Sequence, residues 1–214
     1  MKFDPNIHHR RSIRLKEYDY SQPGAYFVTL VTKDRTNLFG EITGGVMRLN
    51  ILGKLARSTW LRLPDFFRIR QDEWVIMPNH LHAIIWILDS GTGEASAIIR
   101  HGSPKCLLAD ASPQHRPIGT QSGSMGAIIQ NFKSISTRNI NQRIKNCRTV
   151  EARATLSHEI PKSASANASP QQVWQRNYYE RVVRNQTELD RIRQYIADNP
   201  CQWAEDQENL EYRG

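Results

Sequence analysis

The chain has 214 residues, 39% of them hydrophobic and 23% charged, with a mean hydropathy of −0.59: enough apolar content for a packed core, too little for a membrane protein. Lysine and arginine number 29 against 21 acidic residues, a formal net charge of +8, which points to a polyanionic partner, most simply nucleic acid. No run approaches the roughly 18 apolar residues of a spanning helix, no apolar leader opens the chain, and Cys106, Cys147 and Cys201 form no C-x-x-C, so no membrane contact, no disulfide framework and a reducing cytoplasm are expected.

Residues 1–22 read as a basic, irregular arm, with Arg10, Arg11, Arg14 and Lys16 clustered before Pro23-Gly24. Residues 25–32 are rich in β-branched and aromatic side chains and predict a strand. A small hairpin is expected around Gly44-Gly45, followed by a helix capped by Asn50 and stopped near Pro64. Residues 68–77 and 80–88 read as two strands around Pro78-Asn79. Residues 89–123 are dense in Gly, Ser, Pro and Ala and predict a flexible insertion. Helical spacing resumes over 124–145 through Ile128, Ile129, Phe132, Ile135 and Ile140, with basic residues off that stripe and no acidic one.

Residues 146–172 read as a second flexible insertion, and 173–184 as a final strand. Asn185, with Glu188 three residues on, predicts a capped helix that ends before Pro200. The tail, 201–214, reverses the sign of the charge and is expected to stand clear of a nucleic acid. The element order implies an α+β domain spanning 1–214, with a ferredoxin-like antiparallel sheet and helices packed on one face.

Two features could carry chemistry. In a strand His80 and His82 project to the same face while Leu81 turns to the other, giving half of a metal site. Asn199 lies one helical turn after Tyr195: either it presents an amide oxygen near the phenol hydroxyl, or it caps the helix while Tyr195 packs beside Ile192 and Ile196. Tyr178 and Tyr179 compete as functional tyrosines, although alternation along a strand would bury one of them.

His80-Leu81-His82 resembles the HUH motif (His, bulky hydrophobic, His) of single-tyrosine transposases. The chain is most similar to the REP-associated tyrosine transposases and their IS200/IS605-type relatives. The match is carried by Arg11-Ser12-Ile13-Arg14-Leu15, Gly24-Ala25-Tyr26-Phe27-Val28-Thr29, Met77-Pro78-Asn79-His80-Leu81-His82, Trp174-Gln175-Arg176-Asn177-Tyr178-Tyr179-Glu180 and Gln194-Tyr195-Ile196-Ala197-Asp198-Asn199-Pro200. These stretches fall in one order between residues 11 and 200.

That resemblance implies a palm-type sheet, a divalent ion (Mg²⁺ or Mn²⁺) on His80, His82 and Asn199, and Tyr195 as a nucleophile. It further implies cleavage and rejoining of single-stranded or hairpin DNA through a covalent 5′-phosphotyrosine, by a monomer or a homodimer. Arg14, Lys133 and Arg138 are the expected DNA contacts. Two other readings of the same residues are a nucleic-acid-binding protein without catalysis and a metal-dependent RNA-processing nuclease.

Overall fold

The computed structural model describes residues 18–89, 121–146 and 172–209. The parts of the expected arm and insertions that fall elsewhere, Arg14 among them, lie outside the described residues.

The apolar run beginning at Gly24 forms β1 (Gly24–Val31), and the Gly44-Gly45 turn joins β2 (Gly40–Thr43) to β3 (Val46–Leu49). Asn50 then caps α1 (Ile51–Leu61), its side-chain oxygen accepting from the amides of Leu52 and Gly53. β4 (Ile69–Ile76) and β5 (His80–Ile87) follow, then α2 (Met125–Asn146), β6 (Tyr179–Val182) and α3 (Gln186–Asp198). No helix among the described residues is long and apolar enough to cross a membrane.

The main sheet runs β4-β5-β1-β6 with every neighbouring pair antiparallel, which is the ferredoxin-like order, and β2 with β3 forms a separate hairpin. Central β5 is buried at every position, so both faces of the sheet must be covered. On one face Tyr26, Val28 and Leu30 meet Leu81, Ala83 and Ile85 beneath α1 and α2, whose Trp60 and Phe132 are fully buried. Burying a ring of that size contributes about 2–3 kcal/mol. On the other face Phe27, Ile84 and Trp86 pack with Leu189 and Ile196 of α3.

The α+β class and the antiparallel sheet are as the sequence implies. The single covered face is not: α1 and α2 lie on one side and α3 on the other. The reason is β5 itself, whose Ile84 and Trp86 are as apolar as Leu81 and Ile85 and need a partner of their own. The expected strand over 173–184 also shortens. Trp174 makes an isolated bridge to Thr32, and the carbonyl oxygens of Gln175 and Asn177 accept from Lys133 Nζ at 2.9 and 3.0 Å, which leaves the ladder to begin at Tyr179.

Candidate metal centre and tyrosine cleft

His80 and His82 open β5 and point to the face covered by α3. Thr29 is the register partner of His82 on β1, and Val31 that of His80. The two imidazole rings lie 4.4 Å apart, centroid to centroid, and both are buried. Nδ1 of His82 is 2.8 Å from Thr29 Oγ1, and Nδ1 of His80 is 2.9 Å from Asn79 Oδ1. With both Nδ1 atoms held, Nε2 is the atom each ring offers to the site.

α3 supplies the opposite wall. Its start is fixed as the sequence implies, with Asn185 accepting from the Glu188 amide and Glu188 reaching back to the Arg184 amide. Arg193 anchors it to β4 through two hydrogen bonds to Asp72 at 2.9 and 2.7 Å, and Trp86 Nε1 donates to the same carboxylate at 2.8 Å. So held, α3 sets the Tyr195 hydroxyl 3.2 Å from Nε2 of His82. One turn on, Asn199 caps the helix and is buried, its Nδ2 donating to Asp206 Oδ2 at 3.1 Å. The two readings of Asn199, cap and site residue, are therefore compatible.

The fourth group is Asp206. The described part of the acidic tail does not stand apart from the site: Asp206 Oδ2 is 3.9 Å from His80 Nε2. Ligating atoms of His80, His82 and Asp206 all fall within 4.8 Å of one another. Asp206, Glu208, Phe27, Tyr179, Tyr195 and His82 line a cleft of about 430 Å³, with both tyrosines partly exposed to it.

Two atoms test whether a cation fits here. His80 Nε2 and Asn199 Oδ1 are buried and have no hydrogen-bond partner. A buried polar atom left unpaired costs about 1–3 kcal/mol, and a cation among them would satisfy both lone pairs. Two imidazole nitrogens, an amide oxygen and a carboxylate oxygen form a donor set of the kind that divalent ions take.

The electrostatics agree. Burial pushes His82 well below its ordinary value, with the neighbouring His80 adding to the effect. Burial lowers His80 as well, against the raising charges of Asp206 and Glu208. Both rings are thus neutral near pH 7, with Nε2 lone pairs directed at the site, that of His80 unpartnered and that of His82 bonded to the Tyr195 hydroxyl. Tyr195 is raised above its ordinary value by burial first and by the Asp206 carboxylate next.

Of the expected DNA contacts, Lys133 and Arg138 stand on α2, which covers the other sheet face from the histidines. Arg138 is exposed. Lys133 is not, and burial pushes its ammonium down to about 8. It borders a separate cavity of about 940 Å³ between α2 and the 172–178 segment, remote from the histidine cluster. Sequence reasoning missed Asp206, Thr29 and Asn79. Asn79 stood inside the Met77–His82 stretch, and Asp206 was hidden in a charge run that reads as solvated surface.

No protein-family model matches the chain. It is 37% identical over 207 residues, 96% of each chain, to an uncharacterized protein of Haemophilus influenzae. Two solved structures are similar at 14% identity: one of a REP-associated tyrosine transposase bound to a REP hairpin, with a TM-score of 0.47 over 91% of this chain and 74% of that one, and a putative transposase of Deinococcus radiodurans, with a TM-score of 0.36 over 87% of this chain and 97% of that one.

Proposed function

The chain belongs to one family with the Haemophilus influenzae protein, and we propose that it is a metal-dependent tyrosine nuclease and strand transferase acting on single-stranded or hairpin DNA. The observation that carries this reading is the Tyr195 hydroxyl, 3.2 Å from His82 Nε2 at the mouth of a buried His80, His82, Asn199 and Asp206 cluster. The net charge of +8 supports a polyanionic substrate.

His80, His82, Asn199 and Asp206 would hold the ion. When bound, a divalent ion polarises a phosphodiester and neutralises the charge that develops on it. Asp206 adds a hard oxygen donor to the two imidazoles, which makes the set better suited to Mn²⁺ or Mg²⁺ than histidines and an amide alone.

The remaining work falls to the protein's own groups. Arg193 and Asp72 fix α3, so that the Tyr195 oxygen is presented at the cleft rather than swept through it. Attack by that oxygen on phosphorus forms the O–P bond and breaks the bond to the 3′ oxygen. The phenol proton leaves to water in the cleft, and the 3′ oxygen departs with the electron pair and takes up a proton. The product is a 5′-phosphotyrosine that a 3′ hydroxyl can attack in reverse, joining strands. The phenol's hydrogen bond is made to the nitrogen that would ligate the ion, so an ion held there would leave the hydroxyl to face the cleft.

The test is incubation of the wild type and Tyr195→Phe with single-stranded hairpin DNA and Mn²⁺, followed by a denaturing gel. A covalent adduct in the wild type and none in the variant is expected. Binding with no adduct from any hairpin tried sinks the catalytic reading. RNA cleavage that survives Tyr195→Phe replaces it with a metal-dependent RNA nuclease.

A further inference from the structure

We infer that Asn79 is the positioning residue of this site: it fixes which nitrogen His80 offers and docks the chain segment that delivers Asp206, so that ion binding and C-terminal docking are coupled. The inference rests on the metal-centre reading above and adds to it the residue that assembles the centre.

Hydrogen-bond valence fixes the Asn79 amide. Asn79 is fully buried. Its Nδ2 donates to the carbonyl oxygen of Arg35 at 3.0 Å and to that of Glu208 at 2.7 Å. Carbonyl oxygens only accept, so both amide hydrogens are used and the orientation of the amide is set. Asn79 Oδ1 therefore faces His80 Nδ1, 2.9 Å away, as an acceptor. Nδ1 must then carry the ring hydrogen, and the lone pair is left on Nε2, the unpartnered atom beside Asp206.

The same amide is a clamp on the tail. Glu208, whose carbonyl it holds, also pairs with the Arg35 guanidinium at 2.6 Å. The Glu208 amide in turn donates to Asp206 Oδ1 at 2.7 Å, which orients that carboxylate. Arg35 is thus fixed twice, and it pays in backbone strain: Asp34 and Arg35 both adopt left-handed φ, 56° and 52°. Two consecutive non-glycine residues in that region persist only where their surroundings over-determine them. Here what the strained turn delivers is the Arg35 carbonyl to Asn79 and the Arg35 side chain to Glu208. An ion held by His80 and Asp206 would tighten a segment that Asn79 already holds, and a docked segment would raise affinity for the ion by the same factor.

The experiment uses the full chain without DNA. In the metal-free wild type, nitrogen-detected histidine NMR at pH 7.5 is expected to find His80 with hydrogen on Nδ1. Calorimetry with Mn²⁺ is expected to show binding, and hydrogen exchange of the 203–209 backbone to slow when Mn²⁺ is added. Asn79→Asp keeps an acceptor for His80 Nδ1 but cannot donate to either carbonyl. It should retain the His80 tautomer, lose affinity for Mn²⁺ about tenfold or more, and show 203–209 exchange that no longer responds to the ion. Asn79→Ala should lose the tautomer preference as well. A loss of thermal stability alone, with Mn²⁺ affinity and the exchange response intact in Asn79→Asp, overturns the inference. Should the variants not fold, the wild type still decides it: Nε2–H on His80, or Mn²⁺ that binds without slowing 203–209, refutes it. Absence of any Mn²⁺ binding removes the metal centre itself, and this inference with it.

Discussion

The hydroxyl of Tyr195 and Nε2 of His82 share a hydrogen bond 3.2 Å long between side chains 113 residues apart in the sequence. Both rings also pack on Phe27, His82 stacked at 5.6 Å and Tyr195 edge-on at 6.2 Å, so the pair is held by apolar contact as well as by the bond. The nitrogen that a metal would need is the one the phenol now occupies.

The phenol should report on the carboxylate beside it. Burial raises the Tyr195 pKa and the Asp206 charge raises it further, because a nearby anion disfavours a second one. Asp206→Asn removes the charge and keeps the side-chain size, so the Tyr195 titration midpoint is expected to move to lower pH. Ultraviolet titration of metal-free protein, with the Tyr195→Phe spectrum subtracted, measures the shift. A midpoint that stays put or rises means that the two groups do not sense each other.

Acid should weaken the metal-free fold early. His80 and His82 are both depressed below 6.5 in the folded protein, so just below 6.5 the unfolded chain binds protons that the native state does not. Their neutral burial therefore contributes stability in full above 6.5, and that contribution is lost as pH falls from 6.5 through the folded values. Urea unfolding in EDTA should give a lower midpoint at pH 5.5 than at pH 7.5, and His82→Gln should narrow the gap. A wild-type midpoint unchanged between the two would show that the imidazoles are protonated or hydrated in the fold.

What the sequence disclosed and what it hid divide along one physical line. Periodicity and punctuation act locally, so the strand at Gly24–Val31, the caps at Asn50 and Asn185 and the one-turn spacing of Tyr195 and Asn199 could all be read. His80 and His82 shared a face by strand geometry alone. Asp206 could not be found that way, because it reaches the histidines through the path of a tail with no periodicity. Its acidic neighbours made it look like solvated surface, yet it is buried against Asn199. Lys133 misled in the same way. A lysine off an apolar helical stripe reads as a surface cation, but the 172–178 segment folds over it.

The anchor of α3 should be measurable apart from the metal. Burial opposes ionisation of Asp72, but hydrogen bonds from Arg193 and Trp86 outweigh it and hold the carboxyl at about 2. Asp72→Asn leaves a neutral acceptor and a weakened bidentate pair, at an expected cost of about 2 kcal/mol in denaturant unfolding. Hydrogen exchange in α3 should quicken, since Arg193 is its link to β4. The same depressed pKa gives the pH sign: the stabilisation is present above 3.8 and is lost as pH falls through about 2, so Asp72→Asn should flatten the wild-type profile there. Exchange in α3 that matches the wild type would show that the apolar contacts of Leu189 and Ile196 suffice to hold the helix.

Lys133 and Arg138 lie on the same helix and should part company under salt. Three backbone carbonyls surround the Lys133 ammonium, those of Gln175 and Asn177 at 2.9 and 3.0 Å and that of Arg176 at 3.5 Å, and the Tyr178 ring lies 5.3 Å away. A charge so occupied is a poor phosphate ligand. Lys133→Met therefore strips the 175–177 carbonyls of their donor and is expected to cost about 1–3 kcal/mol of stability. It should leave the salt dependence of DNA binding unchanged. Arg138 is exposed, so Arg138→Ala should scarcely alter the unfolding midpoint. If its guanidinium meets a phosphate, the slope of log K against log salt for a single strand should fall by about 0.7, the share of one released counterion. Unfolding curves and binding isotherms at 50 and 200 mM salt separate the two. A slope that drops for Lys133→Met and holds for Arg138→Ala would reverse the assignment, placing the nucleic acid in the cavity between α2 and the 172–178 segment.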